Sequence, residues 1–128
     1  RFPMPTSRNV INWFEIPATN FARARAFYSA VLGITIEPMA MGPSTLGFLS
    51  TDPNAMGGAI VQADGCVPSA NGTIVYLNGG DDLAVMLARV EPAGGSIVVP
   101  KTEIGNGFGF FAHFLDTEGN KIGLHSMQ

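Results

Sequence analysis

Apolar and polar positions follow an order along this chain that occurs twice. In the first half, Val10–Ile16 reads as a short apolar strand, closed by Pro17–Asn20, where Thr19 or Asn20 can cap the helix that follows. Phe21, Ala24, Phe27, Tyr28, Val31 and Leu32 then fall on one arc, the spacing of an amphipathic helix over 21–32. Gly33 stands where such a helix ends in the left-handed conformation. Three strand-like runs follow, Ile34–Met39, Thr45–Ser50 and Gly58–Gln62, with Gly42-Pro43 and Asp52-Pro53-Asn54 as the turns between them.

The second half repeats this order. Thr73–Asn78 reads as a strand, and Asp81 or Asp82 caps a helix whose Leu83, Met86, Leu87 and Val90 share a face, ended by Gly94-Gly95. Ser96–Lys101, Phe108–Leu115 and Lys121–Ser126 are the three further strands, with Thr117-Glu118-Gly119-Asn120 as the last turn. Between the halves, Ala63–Asn71 is rich in Gly, Pro, Ser and Asp and reads as a linker. Two βαβββ modules predict an α+β domain with helices on one face of curled sheets. We expect one domain over 1–128, with module one at about 9–62, the linker at about 63–72 and module two at about 73–128.

Composition narrows the partners. A chain of 128 residues with 46% hydrophobic and only 13% charged residues has surface to bury, and low charge favours burial against a copy of itself. With a net charge of −3 and no Lys/Arg run it lacks the clustered cations that nucleic acid requires. No run is long enough to cross a membrane. Cys66 stands alone, so no disulfide forms within the chain, which suits a reducing compartment. The chain opens at Arg1 rather than Met, so residues are expected to precede it; no secretory leader is recognisable, and the expectation is a cytoplasmic protein.

Several motifs together carry a resemblance. Asn12-Trp13-Phe14-Glu15-Ile16-Pro17, the Ala26-Phe27-Tyr28 and Val31-Leu32-Gly33 of the first helix, and the closing Asp116-Thr117-Glu118-Gly119-Asn120-Lys121-Ile122-Gly123-Leu124 resemble the vicinal-oxygen-chelate superfamily. That superfamily holds glyoxalase I, fosfomycin- and bleomycin-resistance proteins and extradiol dioxygenases. The resemblance implies paired modules forming an open curled barrel around a central cavity, usually completed in a homodimer. Metal-using members carry a His where Trp13 stands and a Glu where Gly123 stands. Their other two ligands fall on Gly57-Gly58-Ala59 and, by the same reading, on Thr73-Ile74-Val75. None of these residues coordinates a divalent ion, so no metal and no cofactor are expected. The nearest resemblance is to a glyoxalase-related branch without the metal ligands.

Strand alternation then suggests what lines the cavity. If the vacated positions face inward, Trp13 and Glu15 share the inner face of the first strand, while Phe14 and Ile16 pack beneath the helices. In the last strand Lys121, Gly123 and His125 point in, and in the preceding one Phe111, His113 and Leu115 do. The resemblance implies the same place for His113, which matches a site-lining residue of fosfomycin-resistance proteins. Glu15 and His113 are the candidate acid/base pair, because a carboxylate and an imidazole exchange protons near neutral pH. Trp13, Phe111, Lys121 and His125 are the candidate ligand-binding residues. Against this stand plainer readings: a structural Glu–His pair, a Trp that only fills space, and a solvated Lys121 and His125.

Other features weigh less. Gly105-Asn106-Gly107-Phe108-Gly109 joins two strands with no helix behind it, so it reads as a flexible hairpin, or a lid, rather than a phosphate loop. Cys66 has no base near it in sequence. Met39, Met41 and Met56 can supply an adaptable apolar wall. Two functions remain: a binding protein that sequesters a small molecule without metal, and a metal-independent lyase or isomerase run by Glu15 and His113.

Overall fold

The computed structural model describes residues 9–50 and 52–128. Residues 1–8, the start of the expected single domain, lie outside the described residues. The first module runs β1 (Trp13–Pro17), α1 (Phe21–Leu32), β2 (Pro38–Met41), β3 (Ser44–Phe48) and β4 (Gly57–Gln62). The second runs β5 (Tyr76–Asn78), α2 (Ala84–Leu87), β6 (Ser96–Glu103), β7 (Phe110–Leu115) and β8 (Lys121–Ser126). The βαβββ order therefore occurs twice. Each module forms a four-stranded mixed sheet, in the orders β1-β4-β3-β2 and β5-β8-β7-β6. The first strand of each pairs in parallel with the last, Trp13 opposite Gly57 and Tyr76 opposite Gly123.

The helices cover one face of both sheets, and a single core results. Asn20 caps α1, its side chain accepting from the Arg23 N–H at 3.1 Å, and Gly33 closes the helix at φ 69°. Phe21 of α1 meets β3 at Gly47, where a Cβ would stand 2.9 Å from the ring, while Phe27 meets Phe114 of β7 with ring centroids 5.8 Å apart. Ile16, Ile60, Leu77, Ala112, Phe114, Ile122 and Leu124 fill the space beneath the helices. Every second residue of β7 and β8 is thus committed to the core, which sends His113, Phe111, Lys121, Gly123 and His125 to the opposite face.

Several elements differ from the sequence reading, and β1 and β5 each begin three residues later than expected. The strand expected at Ile34–Met39 pairs only from Pro38, because Ile36 turns under Gly47 into the core and its carbonyl is taken by the Arg25 guanidinium. The second helix is one turn long. Beyond Leu87 the backbone tightens, Arg89 and Val90 bonding three residues back, and Pro92 and Gly94 (φ 106°) prevent continuation; Leu83, Leu87 and Val90 are nevertheless buried as expected. β7 starts at Phe110 rather than Phe108, because Gly105, Asn106, Gly107 and Gly109 all adopt left-handed backbone and form the hairpin tip.

The last turn is the polar anchor of the fold. Asp116 is 5% exposed and accepts from the Tyr28 hydroxyl at 2.6 Å, from the Glu118 and Asn120 N–H groups at 2.8 and 2.9 Å, and from the Asn120 side chain at 2.9 Å. Glu118 reaches back to the start of α1, accepting from the Thr19 and Asn20 N–H groups and pairing with Arg23 at 2.7 Å. Burial opposes ionisation of Glu118, but the bonds from Arg23, Asn20, Thr19 and Thr117 prevail and hold its carboxyl at about 2.

Candidate functional site

The outer face of the second sheet gathers aromatic and titratable groups in one place. Tyr76 on β5 and His113 on β7 lie on either side of β8, and between them stands Gly123, with no side chain to separate them. The Tyr76 ring lies flat across Gly123, so that any Cβ there would run into it. This brings Tyr76 Oη to 2.6 Å from His113 Nε2. Burial, and then the Lys121 ammonium, hold the His113 imidazole below its ordinary value of 6.5. In the Nδ1–H tautomer of the neutral ring, the Tyr76 hydroxyl donates and Nε2 accepts.

Phe111 flanks this pair, its ring centroid 5.3 Å from that of His113. His125 completes the face; its Nε2 donates to the Phe108 carbonyl at 2.7 Å and so fastens the glycine-rich hairpin to β8. Tyr76, Ile104, Phe111 and His125 line a depression of about 510 Å³. A second cleft, of about 610 Å³, opens where β1 and β5, each paired on one side only, approach each other. Its walls are apolar, with Phe14, Leu32, Ile34, Leu49, Met56 and Met86 among them. Tyr76 lines both. The larger cleft offers volume; the smaller one offers chemistry.

The first sheet presents a different surface. Trp13 is 44% exposed, packs edge-on against Phe48 at 5.6 Å, and covers Gly57, where a Cβ would stand 3.1 Å from the indole. Glu15 is exposed two residues on. Met39 and Met41 are exposed on the edge strand β2, while Met56 belongs to the cleft between the sheets, so the three methionines do not form one wall.

Of the residues selected from sequence, the structure therefore brings together Phe111, His113 and His125, with Lys121 close enough to act on His113. Trp13 and Glu15 stand on the other sheet. No hydrogen bond or ion pair among the described residues joins Glu15 to His113, whose partner is Tyr76 instead. Tyr76 is the residue that sequence reasoning missed. The signal was present: Tyr76 follows Trp13 by the same interval that separates Val90 from Phe27, so the internal repeat places it at the position of Trp13 in the second module.

Comparison with known proteins agrees with this architecture. Residues 10–124 match the profile of the Glyoxalase/Bleomycin resistance protein/Dioxygenase superfamily. No curated protein matches the sequence. Among solved structures, a mutant glyoxalase I from Zea mays superposes with a TM-score of 0.72 at 16% identity, over 90% of this chain and 45% of that one. The chain thus spans less than half of the maize enzyme. A glyoxalase/bleomycin resistance protein from Albidiferax ferrireducens gives 0.66 at 16% identity, covering 91% and 97% of the two chains. An antibiotic-binding protein from a Streptomyces species gives 0.59 at 21% identity, covering 95% and 98%. At these identities the likeness is one of fold.

Where the resemblance sets the ligands of a divalent ion, the two modules carry few donors. Strand register sets Trp13 opposite Gly57 in the first module and Tyr76 opposite Gly123 in the second, each ring over its glycine. The indole and the glycines offer no donor, and the phenol is already bonded to His113. Among the described residues, no three His, Cys, Asp or Glu side chains gather around a common point.

Proposed function

The chain belongs to the glyoxalase/bleomycin resistance protein/dioxygenase superfamily, and from that premise we propose that it binds and sequesters a small organic molecule on the face built by β5, β7 and β8, without a metal. The observation that carries this reading is the Tyr76–His113 pair set beside Phe111 and His125 at the mouth of a depression. Apolar walls with a few convergent polar groups, in a volume of this size, are what small-molecule sites have in common. Phe111 and Tyr76 supply flat apolar contact, and His125 supplies a polar group in the lining. The antibiotic-binding protein from Streptomyces shares the fold. Protein stripped with a chelator is expected to bind aromatic ligands as tightly as untreated protein. Binding that appears only after zinc, nickel, manganese or iron is added would overturn the metal-free reading.

The alternative is a metal-independent lyase or isomerase. It is favoured by one observation: a neutral imidazole already bonded to a phenol can move protons. In that reading His113 acts with Glu15 only where a ligand or a second copy of the chain bridges the two sheets. We also propose a homodimer, because Trp13, Met39 and Met41 leave the outer face of the first sheet apolar and uncovered. Sedimentation at tens of micromolar is expected to give the mass of two chains; the mass of one would refute this.

A further inference from the structure

We propose, resting on the binding site inferred above, that the molecule bound there is a flat conjugated acid, a phenol or enol, taken up as its anion through a proton relay formed by Tyr76 and His113. The hydroxyl of such a ligand, placed against Tyr76 Oη, has a path for its proton. The ligand O–H gives its proton to Tyr76 Oη, and Tyr76 gives its own to His113 Nε2, the acceptor 2.6 Å away. The ligand is left as an oxyanion, Tyr76 as a phenol that now donates to it, and His113 as an imidazolium. Nothing else is consumed.

Burial and the Lys121 ammonium oppose a charged His113, so the transfer goes only from a ligand acidic enough to leave its proton there, which is why a conjugated acid and not an ordinary alcohol is required. The new oxyanion is stabilised by a charge-assisted hydrogen bond from Tyr76 and by the field of Lys121, whose ammonium already acts on this site. No carboxylate among the described residues bonds to or pairs with Tyr76, His113, His125 or Lys121 to oppose an anion. Phe111 beside His113, and the Tyr76 ring lying flat on Gly123, give the conjugated ring of the ligand an aromatic surface to stack on. A cationic ligand gains nothing from this arrangement. A neutral one without an acidic hydrogen gains only the stacking.

The test uses 7-hydroxycoumarin and 7-methoxycoumarin, which differ in the one acidic hydrogen, with the whole chain at neutral pH. The hydroxy compound is expected to bind at least about tenfold tighter, as a hydrogen bond to a charged group allows. Its excitation spectrum when bound should be that of the phenolate. Tyr76→Phe should abolish most of this preference, and Lys121→Met should reduce it independently. Equal affinity for the two coumarins, or a bound spectrum of the neutral phenol, would overturn the inference and leave the binding site standing. Failure of both coumarins to bind would overturn the inference and the site together.

Discussion

Asp116→Ala will lower the stability of the fold by roughly 3–5 kcal/mol, the largest loss expected from any single polar substitution in this chain. The side chain is buried and accepts four hydrogen bonds, so its removal strands the Tyr28 hydroxyl and two backbone N–H groups of the last turn and leaves the Asn120 amide only its bond to the Pro17 carbonyl. A donor left dry costs more than the bond it made. Tyr28→Phe removes one of these contacts and is expected to cost about 1–3 kcal/mol, which separates the share of the hydroxyl from that of the turn. Urea unfolding measures both; a loss under about 1 kcal/mol for Asp116→Ala would show that the turn is not an anchor.

The same turn sets how the protein responds to acid. The Glu118 carboxyl titrates at about 2 in the folded chain against an ordinary value of 4.5. The unfolded state therefore takes up the proton first as pH falls, and the stability Glu118 adds is complete above 4.5 and drains away between 4.5 and 2. Glu118→Gln should flatten the decline of stability across that window. An unchanged slope would place the acid sensitivity elsewhere.

Gly123→Ala is the substitution with the largest expected effect on binding. A methyl group there meets the Tyr76 ring directly, so the ring must leave the strand surface and Oη must leave His113. Affinity for 7-hydroxycoumarin should fall roughly ten- to hundredfold, the worth of a lost charge-assisted hydrogen bond. The neighbouring Ile122 and Leu124 keep their places in the core, so the thermal midpoint should fall far less than for Asp116→Ala. Wild-type affinity in Gly123→Ala would mean that Tyr76 need not lie where it does.

These substitutions also mark what the sequence could tell. Apolar spacing placed α1 to the residue, because Phe21, Ala24, Phe27, Tyr28 and Val31 are all buried and both ends carry explicit caps. Strand alternation correctly separated the two faces of β7 and β8, since a period of two leaves no freedom once Phe114 and Leu124 are core. It could not say which residues on the outer faces touch. Contact between Tyr76 and His113 depends on β5 pairing with β8 in a register that puts Gly123 between them, a pairing over more than forty positions of chain that no local pattern encodes. The choice of Glu15 as the partner of His113 rests on the same alternation, which reports the face of a strand and not which sheet lies opposite. Likewise, Ile34–Met39 reads as one strand-like run, and only the space at Gly47 shows that Ile36 belongs to the core.

The most direct test of this account is to locate the ligand by NMR in chelator-treated, isotopically labelled protein titrated with 7-hydroxycoumarin. The largest shifts are expected at Tyr76, Phe111, His113 and His125, with the His113 ring nitrogens moving toward the imidazolium form. Shifts confined to Trp13, Phe48 and the first sheet, or shifts that appear only when a divalent metal is restored, would contradict it.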